Sequence, residues 1–312
     1  MSTSILNHSS SDPASTLQAA QQASTILARA SSVSTTFPAS LLNTADTPEL
    51  WAELERMLFA CLRTGDDKSA FLCLEKLTER FGADNEKIMG LRGLYQEAVA
   101  PNDEALQEIL SDYNKILSEN PMNVPIHKRR TALIKSLGRQ EQAISNLVDF
   151  LDAFPTDVEA WAELSELYFS QGLLPQAIFS LEEAVIMTPN AWNLHARLGE
   201  LEYLLGLSLD GAEAQKHLMQ AVQRFSRSIE LCDDHLRGFY GLKLACARLL
   251  QKGGSQKGST TPTISQEKIE KLNALASSKL ETLVKERLNG NGSKARQPEL
   301  VAAQELLSKS DK

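Results

Sequence analysis

The sequence predicts an all-α fold built from one helical hairpin repeated along the chain, and three observations carry that reading. Proline recurs at Pro121, Pro155 and Pro189, and glycine recurs at Gly138, Gly172 and Gly206, so two independent series both step by 34 residues. Proline costs about 3 kcal/mol inside a helix and glycine about 1, so residues in such a register mark helix ends. Between these marks apolar residues return at helical spacing, as in Trp161, Leu164 and Tyr168 followed by Ala177, Leu181 and Ala184.

The clearest unit runs from Val158 to Ala191. Its first helix carries Trp161, Leu164, Ser165 and Tyr168, and its second carries Ala177, Leu181 and Ala184 before Pro189. This pattern resembles the W-x2-L-G-x2-Y, A-x3-F and P signature of the tetratricopeptide repeat, a helix-turn-helix unit of the same period. Small side chains at Ser165, Ala177 and Ala184 let paired helices approach, and Trp161, Leu164, Tyr168 and Leu181 fill the space around them. Gly172 supplies the turn because glycine tolerates positive φ. Thr156 and Glu159 read as a T-x-x-E capping box opening the first helix.

The other units follow in order. A first reads Trp51, Leu54, Leu58, Ala70, Leu74 and Leu77, with its turn around Gly65. A second reads Ile88, Leu91, Tyr95, Ile109, Tyr113, Ile116 and Pro121 if about five residues are inserted near Pro101. The third places His127, Thr131, Ile134, Gly138, Ala143, Leu147, Phe150 and Pro155 in matching slots, with His127 where the tryptophan would stand. After the fourth, Leu198 and Gly199 restart the pattern, but Ala221, Phe225 and Ser228 fall late, so roughly ten residues around Leu207 to Lys216 are extra. A last partial unit begins at Phe239 and Leu242 and runs to Leu250. The predicted fold is thus a tetratricopeptide-repeat α-solenoid of about five helical hairpins, in which neighbouring units share one continuous core.

Residues 47–250 form this solenoid. Residues 1–46, rich in Ser, Thr and Ala, read as a low-complexity, disordered tail with weak helical character across Ala14 to Ala30. Its removal up to residue 40 is expected to leave the fold intact. Residues 251–265, with Gly253, Gly254, Gly258 and Pro262, read as a flexible Gly/Ser loop. Residues 266–312 read as a C-terminal capping helix and tail: Ile269, Leu272, Ala276, Leu280 and Leu283 share a face from Gln266 to Leu288, and Pro298 to Lys309 makes a further short helix.

Composition narrows the function. The 312 residues are 42% hydrophobic and 23% charged, with net charge -8 and a pI near 5.3. That balance argues against nucleic acid as a partner, since phosphate binding needs a basic face. No apolar run approaches a membrane span and the N-terminus lacks a signal peptide's apolar core, so membrane association is expected through partners only. Cys61, Cys73, Cys232 and Cys246 have no C-x2-C spacing and read as buried free thiols. No P-loop, G-x-G-x-x-G, H-E-x-x-H or G-x-S-x-G is present, and the carboxylates lie in runs typical of solvated helix faces. Neither catalytic residues nor a cofactor or metal site is expected.

Binding is the remaining class. The most asymmetric surface feature is the basic cluster Lys128, Arg129, Arg130, Lys135 and Arg139, read as an electrostatic contact with an acidic partner segment or a polar cavity, or as a solvated face. A chaperone adaptor would carry a carboxylate clamp with Lys and Asn at the fifth and ninth positions of first helices. Here those positions hold Lys128 and Ala132, then Ala162 and Glu166, so the clamp is not formed.

Three stretches carry a more specific resemblance: Trp51 to Phe81, Tyr113 to Gly138 with its basic cluster, and Asp157 to Pro189. In order and in combination they are similar to the family of subunit 2 of the endoplasmic reticulum membrane protein complex, over about residues 50 to 250. The resemblance implies a peripheral scaffold on the cytosolic face of that membrane. Its partners would be cytosolic parts of membrane subunits and a soluble subunit, and it would support insertion of transmembrane segments, including tail anchors, without bond chemistry. It also implies that Lys128, Arg129 and Arg130 face the assembly near the substrate path, while His127 departs from a position that tends to be basic in the family. The alternative from repeats alone is an adaptor for a chaperone or another multiprotein assembly.

Overall fold

The computed structural model describes residues 13–23, 25–27, 47–253, 265–289 and 297–310. The chain divides into two compact units, one ending at Ala143 and the other starting at Ile144. In the first unit, α1 (Pro13–Gln21) packs on α2 (Pro48–Thr64), which pairs with α3 (Asp67–Phe81); α4 (Glu86–Val99) and α5 (Asp103–Glu119) follow, then α6 (Val124–Ser136). The unit boundary falls within α7 (Gln140–Ala153). First helices α4 and α6 touch directly, as expected of stacked hairpins.

Local chemistry sets these boundaries. Thr47 caps α2 by accepting the Leu50 amide at 3.3 Å, and Pro48 follows where its missing N–H costs nothing. The α2–α3 turn uses Gly65 at φ +75°, and Asp66 caps α3 through the Ser69 amide at 3.1 Å. Hydrogen bonds from Ser69, its side chain first and then its amide, hold the Asp66 carboxyl below its usual value. Asn85, Asn102 and Asn123 cap α4, α5 and α6 in the same way. The insertion expected near Pro101 is taken up largely as helix, since α5 has 17 residues against 14 in the second helix of the regular unit.

Residues 13–27 fall in the stretch read as a disordered tail, yet those described are helical, and Ala20, Ala23 and Ile26 are buried with Leu50, Leu54 and Leu58. The reason is composition: a nearly uncharged, Ala-rich segment offers a small apolar face to the open side of the first hairpin. Residues 28–46, 254–264 and 290–296 lie outside the described residues, including most of the predicted Gly/Ser loop.

The second unit contains the best-formed repeat, α8 (Val158–Ser170) and α9 (Leu174–Met187). Leu164, Ser165, Ala177, Leu181 and Ala184 are buried as the motif requires, and the Ser165 hydroxyl donates to the Ala177 carbonyl at 2.7 Å across the pair. Gly172 turns the chain at φ +74°, the angle also found at Gly138. Two expectations are corrected. The cap of α8 is Asp157, whose carboxylate accepts the Ala160 amide at 2.9 Å, and not a Thr156–Glu159 box, because Asp157 stands one residue nearer the helix. Trp161 is half-buried: its ring stands edge-on to Phe179 at 6.3 Å and lines a groove.

The irregular unit follows as α10 (Trp192–Ser208) and α11 (Gly211–Leu231). These have 17 and 21 residues against 13 and 14 in α8 and α9, so the extra sequence lengthens both helices instead of forming a loop. Gly206 therefore lies inside α10 and not at a turn. A Cβ there would come within 2.9 Å of the Leu218 side chain, and the turn passes to Gly211 at φ +66°. Then α12 (Leu236–Gly253) packs on α11, α13 (Gln266–Asn289) on α12, and α14 (Gln297–Ser310) on α13. Leu236, Phe239, Leu280, Val284, Leu300 and Ala303 form the core of this last layer. No helix among the described residues is long and apolar enough to cross a membrane.

One device recurs at the joints between hairpins. The ring nitrogen of His127 lies 2.8 Å from the Pro121 carbonyl, Trp161 Nε1 donates to the Pro155 carbonyl at 2.9 Å, and His195 Nε2 lies 2.9 Å from the Pro189 carbonyl. A carbonyl only accepts, so both histidines carry a proton on Nε2. Each ring N–H thus ties the start of a first helix to the proline six residues before it.

Candidate functional site

The basic cluster lies on and just beyond α6, and the fold divides it. Arg129 turns inward: its Nε donates to Glu97 Oε1 at 3.1 Å, and its Nη2 makes a short charge-assisted contact with Oε2. The Tyr113 hydroxyl donates to the same Glu97 Oε1 at 2.5 Å. One carboxylate of α4 therefore ties α5 and α6 together. Tyr113 is only 2% exposed and has room because residue 93, on the facing turn of α4, is glycine.

Electrostatics follow from this geometry. Burial, then the hydrogen bond and charge of Glu97, push the Tyr113 phenol well above its ordinary value. Burial alone would lower Arg129, but the Glu97 hydrogen bonds and charge outweigh it and the guanidinium is held more firmly charged. Arg129 is thus spent on the interior, which corrects the expectation that it is offered outward with its neighbours. The physical reason is its reach to a carboxylate 32 residues earlier, beyond any local pattern.

Lys128, Arg130 and Lys135 are half-exposed and Arg139 is exposed. Arg130 approaches Asn114 Oδ1 at 3.4 Å. Four cations therefore stay near the surface of α6 and its C-terminal end, where Lys135 and Arg139 also complement the helix dipole. This surface can receive carboxylates. It holds no nucleophile with an adjacent base.

The second unit has its own polar interior, which sequence reasoning missed. Glu202 is buried on α10 and its Oε2 lies 2.6 Å from His217 Nδ1 on α11. Burial raises the Glu202 carboxyl despite the opposing pull of His217. Lys243, also buried, donates to the Ser277 hydroxyl at 2.6 Å between α12 and α13. A partnered polar group inside an otherwise apolar stack fixes the helix register at that point. The thiols of Cys61, Cys73 and Cys246 are buried and free, and burial first of all pushes them up to about 11, 12 and 12, so they stay protonated. Cys232 is half-buried beside Asp234.

Comparison with known proteins bears on the same elements. The repeat domain described as EMC2 TPR-like matches residues 97–207, from Glu97 through α10. The TPR repeat protein oca3 of Schizosaccharomyces pombe is 35% identical over 203 residues, covering 65% of this chain and 68% of that protein. ER membrane protein complex subunit 2-A of Xenopus laevis is 31% identical over 201 residues, 64% of each chain. Subunit 2 of Saccharomyces cerevisiae is 25% identical over 233 residues, 72% of this chain and 78% of that protein. The chain thus spans about two thirds of the length of the first two relatives. The region matched by the repeat-domain model contains the Glu97–Tyr113–Arg129 tie, the basic helix and the regular repeat, and by these matches the chain belongs to the family of ER membrane protein complex subunit 2.

Proposed function

We propose that this chain is a non-catalytic scaffold subunit of an ER membrane protein complex, bound peripherally on the cytosolic face of the membrane. There it supports insertion of transmembrane segments, tail anchors included. The observation that carries the reading is the coincidence of the family match at residues 97–207 with rigid helical hairpins that present side chains for binding and none arranged for bond chemistry. Partners are the cytosolic parts of membrane-embedded subunits and a soluble subunit. The chain itself contributes rigidity through the Glu97 tie and a cationic surface at Lys128, Arg130, Lys135 and Arg139 for acidic partner segments.

Affinity purification of the tagged full chain from solubilised membranes, with mass spectrometry of what co-elutes, tests this. Integral membrane subunits of one complex are expected with the wild type. Lys128→Glu, Arg130→Glu and Lys135→Glu together should reduce their recovery while the melting temperature holds. Arg129 is left unchanged because reversing it would set two half-buried carboxylates against each other. Recovery of chaperones in place of membrane subunits would favour the adaptor reading. Full retention of the subunits by the triple variant would remove the basic surface from the mechanism.

A further inference from the structure

Charge along this chain is unevenly distributed. Between Arg139 and His195 there is no Lys, Arg or His, yet the stretch holds nine carboxylates. The rest of the chain has 32 bases against 31 acids, so α7 to α9 carry the net charge of -8 and one unit more. Two arginines reach in from later helices and neutralise part of it: Arg197 pairs with Glu166 at 2.7 Å and Arg224 with Glu182 at 2.8 Å. Asp149 and Asp152 stay exposed on α7, and Glu183 is half-exposed on α9.

The same stretch contains an open groove of about 440 Å³, with Val148, Leu151 and Asp152 on one side and Trp161, Tyr168 and Phe179 on the other. Its rim is apolar and open to solvent. Phe179 is 58% exposed, and Ile186, two turns later on the same face of α9, is 70% exposed. Two of its polar groups are already used, Trp161 Nε1 on the Pro155 carbonyl and the Ser180 hydroxyl on the Gln176 carbonyl, whereas Asp152 lies at its exposed edge. Nothing in the repeat itself requires large apolar side chains there, since the hairpin core is complete with Ala177, Leu181 and Ala184.

We infer that this groove is a docking site for a partner segment that inserts one large apolar side chain, Leu, Met or Phe, flanked by Lys or Arg on both sides. The aromatic walls take the anchor, and Asp149, Asp152 and Glu183 take the flanking cations. An anionic lipid surface fits poorly, because the face would be repelled. A two-fold pairing of copies fits poorly too, since it would set the same carboxylates against each other. The site is distinct from the basic helix and does not depend on which assembly the chain serves.

The test uses the full chain and a fluorescein-labelled twelve-residue peptide with a single central Phe flanked by Lys and Arg. Two control peptides replace the Phe by Ala, or the Lys and Arg by Glu. Fluorescence anisotropy should show the first peptide binding at least about tenfold more tightly than either control. Phe179→Ala should weaken it about tenfold, and Asp149→Lys with Asp152→Lys should weaken it comparably and flatten its salt dependence. All three positions are exposed, so unchanged far-UV circular dichroism and melting are expected. Equal binding of the anchorless peptide, or no effect of Phe179→Ala, overturns the inference. Concentration-dependent dimerisation abolished by Ile186→Lys would also overturn it, assigning the face to a second copy.

Discussion

Gly93→Ala separates two opposed effects whose sum has a definite sign. Residue 93 lies inside α4, where replacing glycine by alanine favours the helix by about 1 kcal/mol. A Cβ at that position, however, would stand 2.8 Å from Tyr113 Cε1 and Cζ and closer still to the hydroxyl. Tyr113 cannot swing aside cheaply, since it is buried and donates to Glu97, which also holds Arg129. Overpacking costs about 1 to 3 kcal/mol and the loss of a hydrogen bond to a charged group about 1.5 to 3, so the net expectation is a loss of about 2 to 4 kcal/mol. Urea unfolding followed by circular dichroism should show a midpoint about 1 to 2 M lower at unchanged slope. Adding Tyr113→Phe removes the closest atom, so the double variant should lose less than the two single losses combined. A neutral or stabilised Gly93→Ala would refute the reasoning, because it would mean that the ring moves freely and the tie between α4 and α5 is loose.

Trp161→Ala should cost about 2 to 3 kcal/mol, less than for a fully buried indole, whereas Trp161→His should cost under about 1 kcal/mol by keeping a ring N–H on the Pro155 carbonyl; equal losses in thermal melts would sink the joint argument. His235 packs edge-on against Trp192 at 4.5 Å with Nδ1 2.9 Å from the Ser228 hydroxyl, and burial, then Arg237, lower it from 6.5 to about 4. The unfolded chain therefore takes up the proton first as pH falls, so stability is full above about 6.5 and declines toward about 4. At pH 5 the loss should be about 1 to 2 kcal/mol after allowance for screening, and His235→Gln should remove that slope; identical pH profiles for the two proteins would count against it. Deleting residues 1–27 should lower the melting temperature by a few degrees, about 1 kcal/mol, because Ala20, Ala23 and Ile26 leave the core of the first unit, and an unchanged melt would return α1 to the status of a tail.

What was legible in the sequence was what repeats locally. Gly138 and Gly172 share one turn angle, and the buried set Leu164, Ser165, Ala177, Leu181 and Ala184 follows from spacing alone. Gly206 continued the arithmetic but not the geometry: lengthened helices absorbed the insertion, and a glycine chosen by register became a close-packing site. Asp157 displaced the expected Thr156 cap because capping depends on a single residue of offset. Arg129 looked like its neighbours until a carboxylate from another hairpin claimed it, an interaction set by tertiary contact and invisible to a linear pattern. The groove at Phe179 left one readable trace, the long absence of bases from 140 to 194, which matters only once an exposed aromatic rim is placed beside it.

The ring-to-proline hydrogen bond carries a broader consequence. It asks of its first helix only a planar side chain with one N–H in reach, so indole and imidazole are interchangeable there, and the receiving residue is constrained through its carbonyl. A chain built this way can lose the tryptophan by which its repeats are usually recognised and still tie the start of that helix to the proline before it.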